Sequence, residues 1–141
     1  MIMGRNEIGL IMYKKIFSPG FADTDALGHI NNTVFPYWFE NARAEIFEIF
    51  TPDLDPKKWV LILAKLEVDF KAQCFYGTDV EVNTYIEKVG NASFVVLQEV
   101  VQNQDLVAVG RSTMVHFDHN TQKSKPLPTD IKEILLKHLK I

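Results

Sequence analysis

The chain has 141 residues, with 15 basic and 18 acidic side chains and a formal charge of −3. With 47% hydrophobic and 23% charged residues it is an ordinary globular mixture, which excludes a disordered chain and at this length implies one domain spanning 1–141. The mildly acidic balance gives no footprint for sequence-independent nucleic-acid binding, and the single cysteine, Cys74, excludes an intrachain disulfide and every cysteine-based metal cluster.

No run approaches the ~18 uninterrupted apolar residues that a membrane span requires. The first residues show no charged leader ahead of an apolar core, so no secretory signal is expected and the expected setting is cytoplasmic.

Taken in chain order, Ile8 to Phe17 reads as a first strand, punctuated by Ser18-Pro19-Gly20. Asp23 to Asn32 is polar and short-sided, as a functional loop would be. From Thr33 to Phe50 the pattern becomes helical: Phe35, Trp38, Phe39, Ala42, Ile46 and Ile49 recur at spacings of three and four. Asn31 or Asn32 is the expected N-cap, and Pro36 falls near the first turn, where a missing donor costs least. Val34, Tyr37, Phe47 and Phe50 extend apolar surface beyond one stripe, so this helix should be covered on most sides. Thr51-Pro52-Asp53 to Pro56 ends it.

Strands follow. Leu66, Val68 and Phe70 alternate with charged neighbours, giving a strand with one dry face, and Val80 to Glu87 alternates in the same way. Gly90-Asn91 turns the chain into Phe94 to Val101, and Asn103-Gln104-Asp105 turns it into Leu106 to Phe117. Turns this short imply antiparallel hairpins. Asp118 to Thr121 closes the last strand, and Pro128 to Leu139 reads as a terminal helix. The sum is an α+β domain in which a curved antiparallel sheet wraps one long central helix. So small a domain covers such a helix poorly, so sheet-to-sheet dimerisation is expected.

The chemistry concentrates in Asp23-Thr24-Asp25-Ala26-Leu27-Gly28-His29-Ile30-Asn31-Asn32, directly before that helix. A helix start offers unpaired N–H donors and a partial positive potential, suited to an anion or a developing oxyanion. Gly28 permits a backbone conformation closed to other residues, or close approach of a ligand. A carboxylate beside oriented N–H donors could attack an activated carbonyl or deprotonate water. The same residue types also cap helices and shape turns, and from composition alone that plainer role competes.

This stretch, continuing through Tyr37, Glu40, Ala42 and Arg43, resembles the signature of the hotdog-fold acyl-CoA thioesterases, in particular the 4-hydroxybenzoyl-CoA thioesterase-like group. The likeness extends over the strand order and the Tyr76-Gly77-Thr78-Asp79 turn, from Ile8 to about Asp118. It implies a hotdog fold and hydrolysis of an acyl-CoA, or of an acyl carrier protein thioester, to a free acid. Asp25 would be nucleophile or general base, the Asn32 backbone N–H the oxyanion donor, and His29 an accessory catalytic or loop-holding group. Gly28, Asn31, Phe35 and Glu40 would form the substrate-binding surface, with Phe35 where the family often has tyrosine. Family members build each active site between subunits of a homodimer or homotetramer. No cofactor is implied, since coenzyme A arrives as part of the substrate, and no metal is implied either.

Other candidates weigh less. Glu40 and Arg43, three apart, suit a structural ion pair. His116, Asp118 and His119 lack third and fourth ligands for a metal and are read as a strand end. Nothing local activates Cys74. Lys65, Lys71, Lys88 and Arg111 could meet phosphates or could simply be solvated, Trp38 and Trp59 read as core, and no Gly-rich nucleotide loop occurs. Two rival readings remain: a hydratase or dehydratase using His29 with Glu40, and a non-catalytic acyl-CoA binding module.

Overall fold

The structure, a computed structural model, describes residues 2–5 and 11–140. Alternation along the chain builds strands β1 (Ile2–Arg5), β2 (Ile11–Phe17), β3 (Leu61–Phe70), β4 (Val80–Val89), β5 (Ser93–Gln102), β6 (Asp105–Asp118) and β7 (Lys123–Ser124). They join in one antiparallel sheet ordered β1-β2-β4-β5-β6-β3, with β7 added beside β6. The expected first strand is β2, preceded by a hairpin partner that the sequence did not announce; residues 8–10 lie outside the described residues.

Hairpins β4–β5 and β5–β6 form as their turn signals predict. Asn103 and Gln104 both take positive φ (51° and 69°), which a two-residue hairpin turn matched to strand twist requires. β3 departs from simple succession, pairing with β6 rather than with the next strand, so that it forms an edge. Its expected dry face is therefore only partly covered in the single chain: Leu66 and Val68 are half-buried, while Phe70 is 54% exposed.

The helical stretch is two helices, not one. α1 (Val34–Ala42) and α2 (Ala44–Phe50) meet at Arg43, whose φ of −86° and ψ of 0° break the ladder. The sheet serves the carbonyls around that break. Gln98 Nε2 donates to the Phe39 carbonyl at 3.0 Å, and Thr84 Oγ1 reaches the Ala42 carbonyl at 3.4 Å. The Phe39 carbonyl also accepts the Arg43 N–H at 3.1 Å, whereas the Ala42 carbonyl without Thr84 would carry a desolvation cost of ~1–3 kcal/mol. The expected Glu40–Arg43 ion pair is not formed; Arg43 turns inward and its Nη1 donates to Ser112 Oγ at 2.9 Å.

The predicted helical face is the buried one. Phe35, Trp38, Phe39 and Ala42 pack on Val80, Val82, Val100 and Ala108. Ile46 begins a second cluster with Ile86, Phe94, Val96, Met114 and Leu135, the last from the terminal helix α3 (Thr129–Leu136). Gly110 lets α1 approach the sheet: a Cβ there would lie 2.6 Å from Cε2 of the Phe39 ring. Trp59, expected in the core, is only half-buried and lines an open cavity.

Candidate active site

The loop before α1 is built around Asp25. Its Oδ1 accepts the Leu27 N–H at 2.8 Å and the His29 N–H at 3.1 Å. Its own N–H donates to the His29 carbonyl at 2.8 Å, and its carbonyl accepts from Gly28 at 3.2 Å. The bend closes because Gly28 sits at φ +82°, a region that L side chains avoid. Asp25 is thus pinned through its main chain and one carboxylate oxygen, while Oδ2 accepts no hydrogen bond from the described residues.

Asp23 holds the turn upstream. Its Oδ2 accepts from Gly20 N–H at 2.7 Å, and its carbonyl accepts from Asn31 N–H at 2.8 Å. The expected asparagine cap takes a shifted form. Asn31 Oδ1 accepts from the Thr33 N–H at 3.0 Å and from the Thr33 hydroxyl at 2.9 Å, and Thr33 occupies the cap position itself. The N–H of Asn32 donates to no acceptor among the described residues.

Asp25 and Asn32 line one cavity of about 460 Å³ with Phe35, Phe70, Lys71 and Cys74. Phe35 and Phe70, both on its wall, meet edge-on at 5.4 Å between ring centroids, and Phe35 also meets Trp38 at 5.2 Å. The connection between β3 and β4 supplies Lys71, Ala72, Gln73 and Cys74 to the lining. Ile30 N–H donates to the Cys74 carbonyl at 2.8 Å, and the His29 ring packs edge-on to Phe75 at 5.3 Å. Buried Gln102 clamps that connection, accepting from Phe75 N–H at 2.9 Å and donating to the Phe75 and Thr78 carbonyls. Burial pushes the Cys74 thiol up to about 11, so it carries its proton at neutral pH and is no nucleophile.

The structure therefore brings together three of the sequence candidates: Asp25, Asn32 and Phe35. Gly28 and Asn31 shape the loop from outside the cavity lining. His29 acts on Asp25 through its main-chain N–H, and its ring lines neither this cavity nor the other large one. Glu40 lines that second cavity, apart from Asp25. His116, weighed as a metal ligand, directs Nδ1 at the Pro126 carbonyl, 3.0 Å away. Phe70 and Gln102 are not among the sequence candidates, and Lys71 is among them only as one of four cations that could meet phosphates. For Gln102 a signal existed, because it falls in phase with Phe94, Val96 and Val100 on the inward face of β5. For Phe70 none did, since only the sheet order carries the end of β3 to the loop.

A curved antiparallel sheet around a helix, with a carboxylate-bearing loop at the helix start, is the hotdog architecture. The profile of the thioesterase-like superfamily matches residues 19–135, and the chain belongs to that superfamily. No curated protein sequence matches it. Among solved structures, a predicted thioesterase of Bacillus stearothermophilus is 43% identical, covering 92% of this chain and 97% of its own, with a TM-score of 0.89. A thioesterase of Thermus thermophilus, solved with coenzyme A and Zn, is 29% identical over 85% of this chain and 94% of its own, with a TM-score of 0.76. A 1,4-dihydroxy-2-naphthoyl-CoA thioesterase of Synechocystis shares the fold at 21% identity, covering 89% of this chain and 96% of its own, with a TM-score of 0.74.

Proposed function

We propose that the protein hydrolyses an acyl-CoA thioester to a free acid and coenzyme A. The observation that carries this reading is Asp25, held by two N–H donors on one oxygen and with the other unengaged among the described residues, in a cavity that Phe35, Phe70 and Asn32 also line, the Asn32 N–H having no acceptor among those residues. A thioester carbonyl is activated already, because sulfur donates poorly into it, so one carboxylate and one oxyanion donor suffice. Asp25 Oδ2 attacks the carbonyl carbon, or takes a proton from the water that does. The carbonyl oxygen gathers charge against the Asn32 N–H, a kind of contact worth ~2.7–4 kcal/mol of barrier in a well-studied protease. The carbon–sulfur bond then breaks and coenzyme A leaves as the thiolate, which takes up a proton given up by the water consumed. If the attack is covalent, water cleaves the resulting anhydride, so either route consumes one water. Lys71, on the same cavity, is the cation available to an anionic coenzyme.

The CoA bound to the Thermus protein supports the same substrate class here. The hydratase reading finds less support, since His29 and Glu40 do not share a cavity. The reading extends to a homo-oligomer, because β3 is an edge of the described sheet with Leu63 exposed along it and Phe70 exposed where it meets the site. The test is thiol release from short, long and aromatic acyl-CoAs by the purified chain. Release from at least one class supports the proposal; tight binding without release, or conversion of an enoyl thioester with none, contradicts it.

A further inference from the structure

The loop that holds Asp25 belongs to a small ladder whose far edge is a side chain. Both main-chain groups of His29 engage Asp25: the His29 carbonyl accepts the Asp25 N–H at 2.8 Å, and the His29 N–H donates to Asp25 Oδ1 at 3.1 Å. His29 in turn pairs with Phe75 across an antiparallel bridge, fastened by the Ile30 N–H on the Cys74 carbonyl at 2.8 Å and by the two rings, 5.3 Å apart. In an antiparallel ladder, a residue that exchanges no bonds with one neighbour directs its N–H and C=O to the other. For Phe75 that other neighbour is the Gln102 amide. Its Oε1 accepts the Phe75 N–H at 2.9 Å, and its Nε2 donates to the Phe75 carbonyl at 2.8 Å and the Thr78 carbonyl at 2.9 Å. A primary amide presents the same donor and acceptor as a peptide group, so Gln102 stands in for an absent strand. It is 3% exposed, sits at the end of β5 paired with Asp105, and does not line the cavity that contains Asp25.

We propose that Gln102 is a positioning residue for the Asp25 carboxylate, fixing its direction through Phe75 and His29 without touching the substrate. This rests on the hydrolytic reading of Asp25. With the amide gone, the Phe75 segment loses its outer edge, and His29 loses the support that keeps its N–H aimed at Oδ1. The carboxylate is then free to turn, and a misplacement of about 1 Å at a reacting group can cost ~100-fold in rate while the fold survives.

Thiol release would be measured well below Tm, where the folded fraction is near one, for Gln102→Leu, Gln102→Glu and Gln98→Leu beside the parent. Gln98 is the control: it lies on the same strand, is fully buried, and bonds the Phe39 carbonyl and Thr84 rather than the loop. Gln102→Leu is expected to lower kcat at least tenfold, whereas Gln98→Leu loses stability and keeps kcat within twofold. In Gln102→Glu a neutral carboxyl can accept the Phe75 N–H and donate to one carbonyl, but a carboxylate donates nothing. Burial against two carbonyls raises that carboxyl's pKa, so the rate relative to the parent should rise severalfold as pH falls from about 8 to about 6. A side chain that only stabilises the fold would leave this ratio flat. If Gln102→Leu does not fold, Gln102→Glu decides. If the parent cleaves no acyl-CoA, the hydrolytic reading fails and hydrogen exchange decides the positioning: the His29 N–H should lose protection at least tenfold in Gln102→Leu and not in Gln98→Leu. A folded Gln102→Leu with kcat within twofold of the parent, a pH-independent ratio for Gln102→Glu, or unchanged His29 protection would each overturn the proposal.

Discussion

Gly110→Ala tests how α1 is seated on the sheet. The added Cβ would stand 2.6, 2.8 and 3.0 Å from Cε2, Cζ and Cδ2 of Phe39, against a comfortable carbon–carbon separation of about 3.5–4.0 Å. The ring must retreat by roughly 1 Å, but Phe39 has no exposed surface, and Val82, Val100 and Ala108 belong to the same packed cluster. Overpacking of this kind costs ~1–3 kcal/mol, and the absence of free space puts it at about 2–3. At roughly 3 °C per kcal/mol for a domain of this size, Tm should fall by about 6–9 °C. Thermal and urea unfolding would measure the loss. Phe39→Leu in the same background checks its origin: the pair should cost at least ~0.5 kcal/mol less than the sum of the singles, because the smaller side chain vacates the clash. A Tm within about 2 °C of the parent, or strict additivity, would refute the packing argument.

Three further outcomes follow from the site and its supports. Gly28→Ala meets no atom within 4 Å, so its penalty is backbone strain alone at φ +82°, ~1–2 kcal/mol, together with loss of thiol release as the bend around Asp25 opens; an undiminished Tm and rate would contradict this. Gln102→Leu strands the Phe75 N–H and the Phe75 and Thr78 carbonyls, so stability should drop by about 2–4 kcal/mol and kcat/KM with it; a loss below about 1 kcal/mol would show that the clamp is dispensable. The Cys74 thiol is raised from 9.0 to about 11, so the native state keeps the proton that the unfolded chain loses first. Its share of stability is complete below about pH 9 and is lost as pH rises through 11, so the parent should lose stability over that interval faster than Cys74→Ala does, and parallel curves would exclude the effect.

Local pattern made much of this molecule legible. The spacing of Phe35, Trp38, Phe39, Ala42 and Ile46 named the buried helical face, because that face follows from a 3.6-residue period alone. The break at Arg43 was not legible, since Thr84, Gln98 and Ser112, which meet the Ala42 and Phe39 carbonyls and the inward guanidinium, lie 42 to 69 residues along the chain from those groups. Three-residue spacing pointed instead to a Glu40 ion pair, a surface rule applied to a side chain that the fold buries. Likewise, alternation marked β3 as a strand but could not assign its neighbour, so the exposure of Phe70 and its arrival beside Asp25 had to await the sheet order. At the site, the residue types of the loop placed a carboxylate at a helix start. Which of its oxygens is engaged is a matter of the Gly28 bend and appears only in three dimensions.

The most direct measurement is steady-state thiol release by Asp25→Asn beside the parent, on the best acyl-CoA, with unfolding curves recorded for both. The amide keeps the volume and the Oδ1 acceptor that receives Leu27 and His29, so the fold should survive with Tm within a few degrees. Without a basic or nucleophilic oxygen, kcat should fall at least ~100-fold, the lower end of what a positioned base contributes. A folded Asp25→Asn protein that turns over at the parental rate would contradict the account.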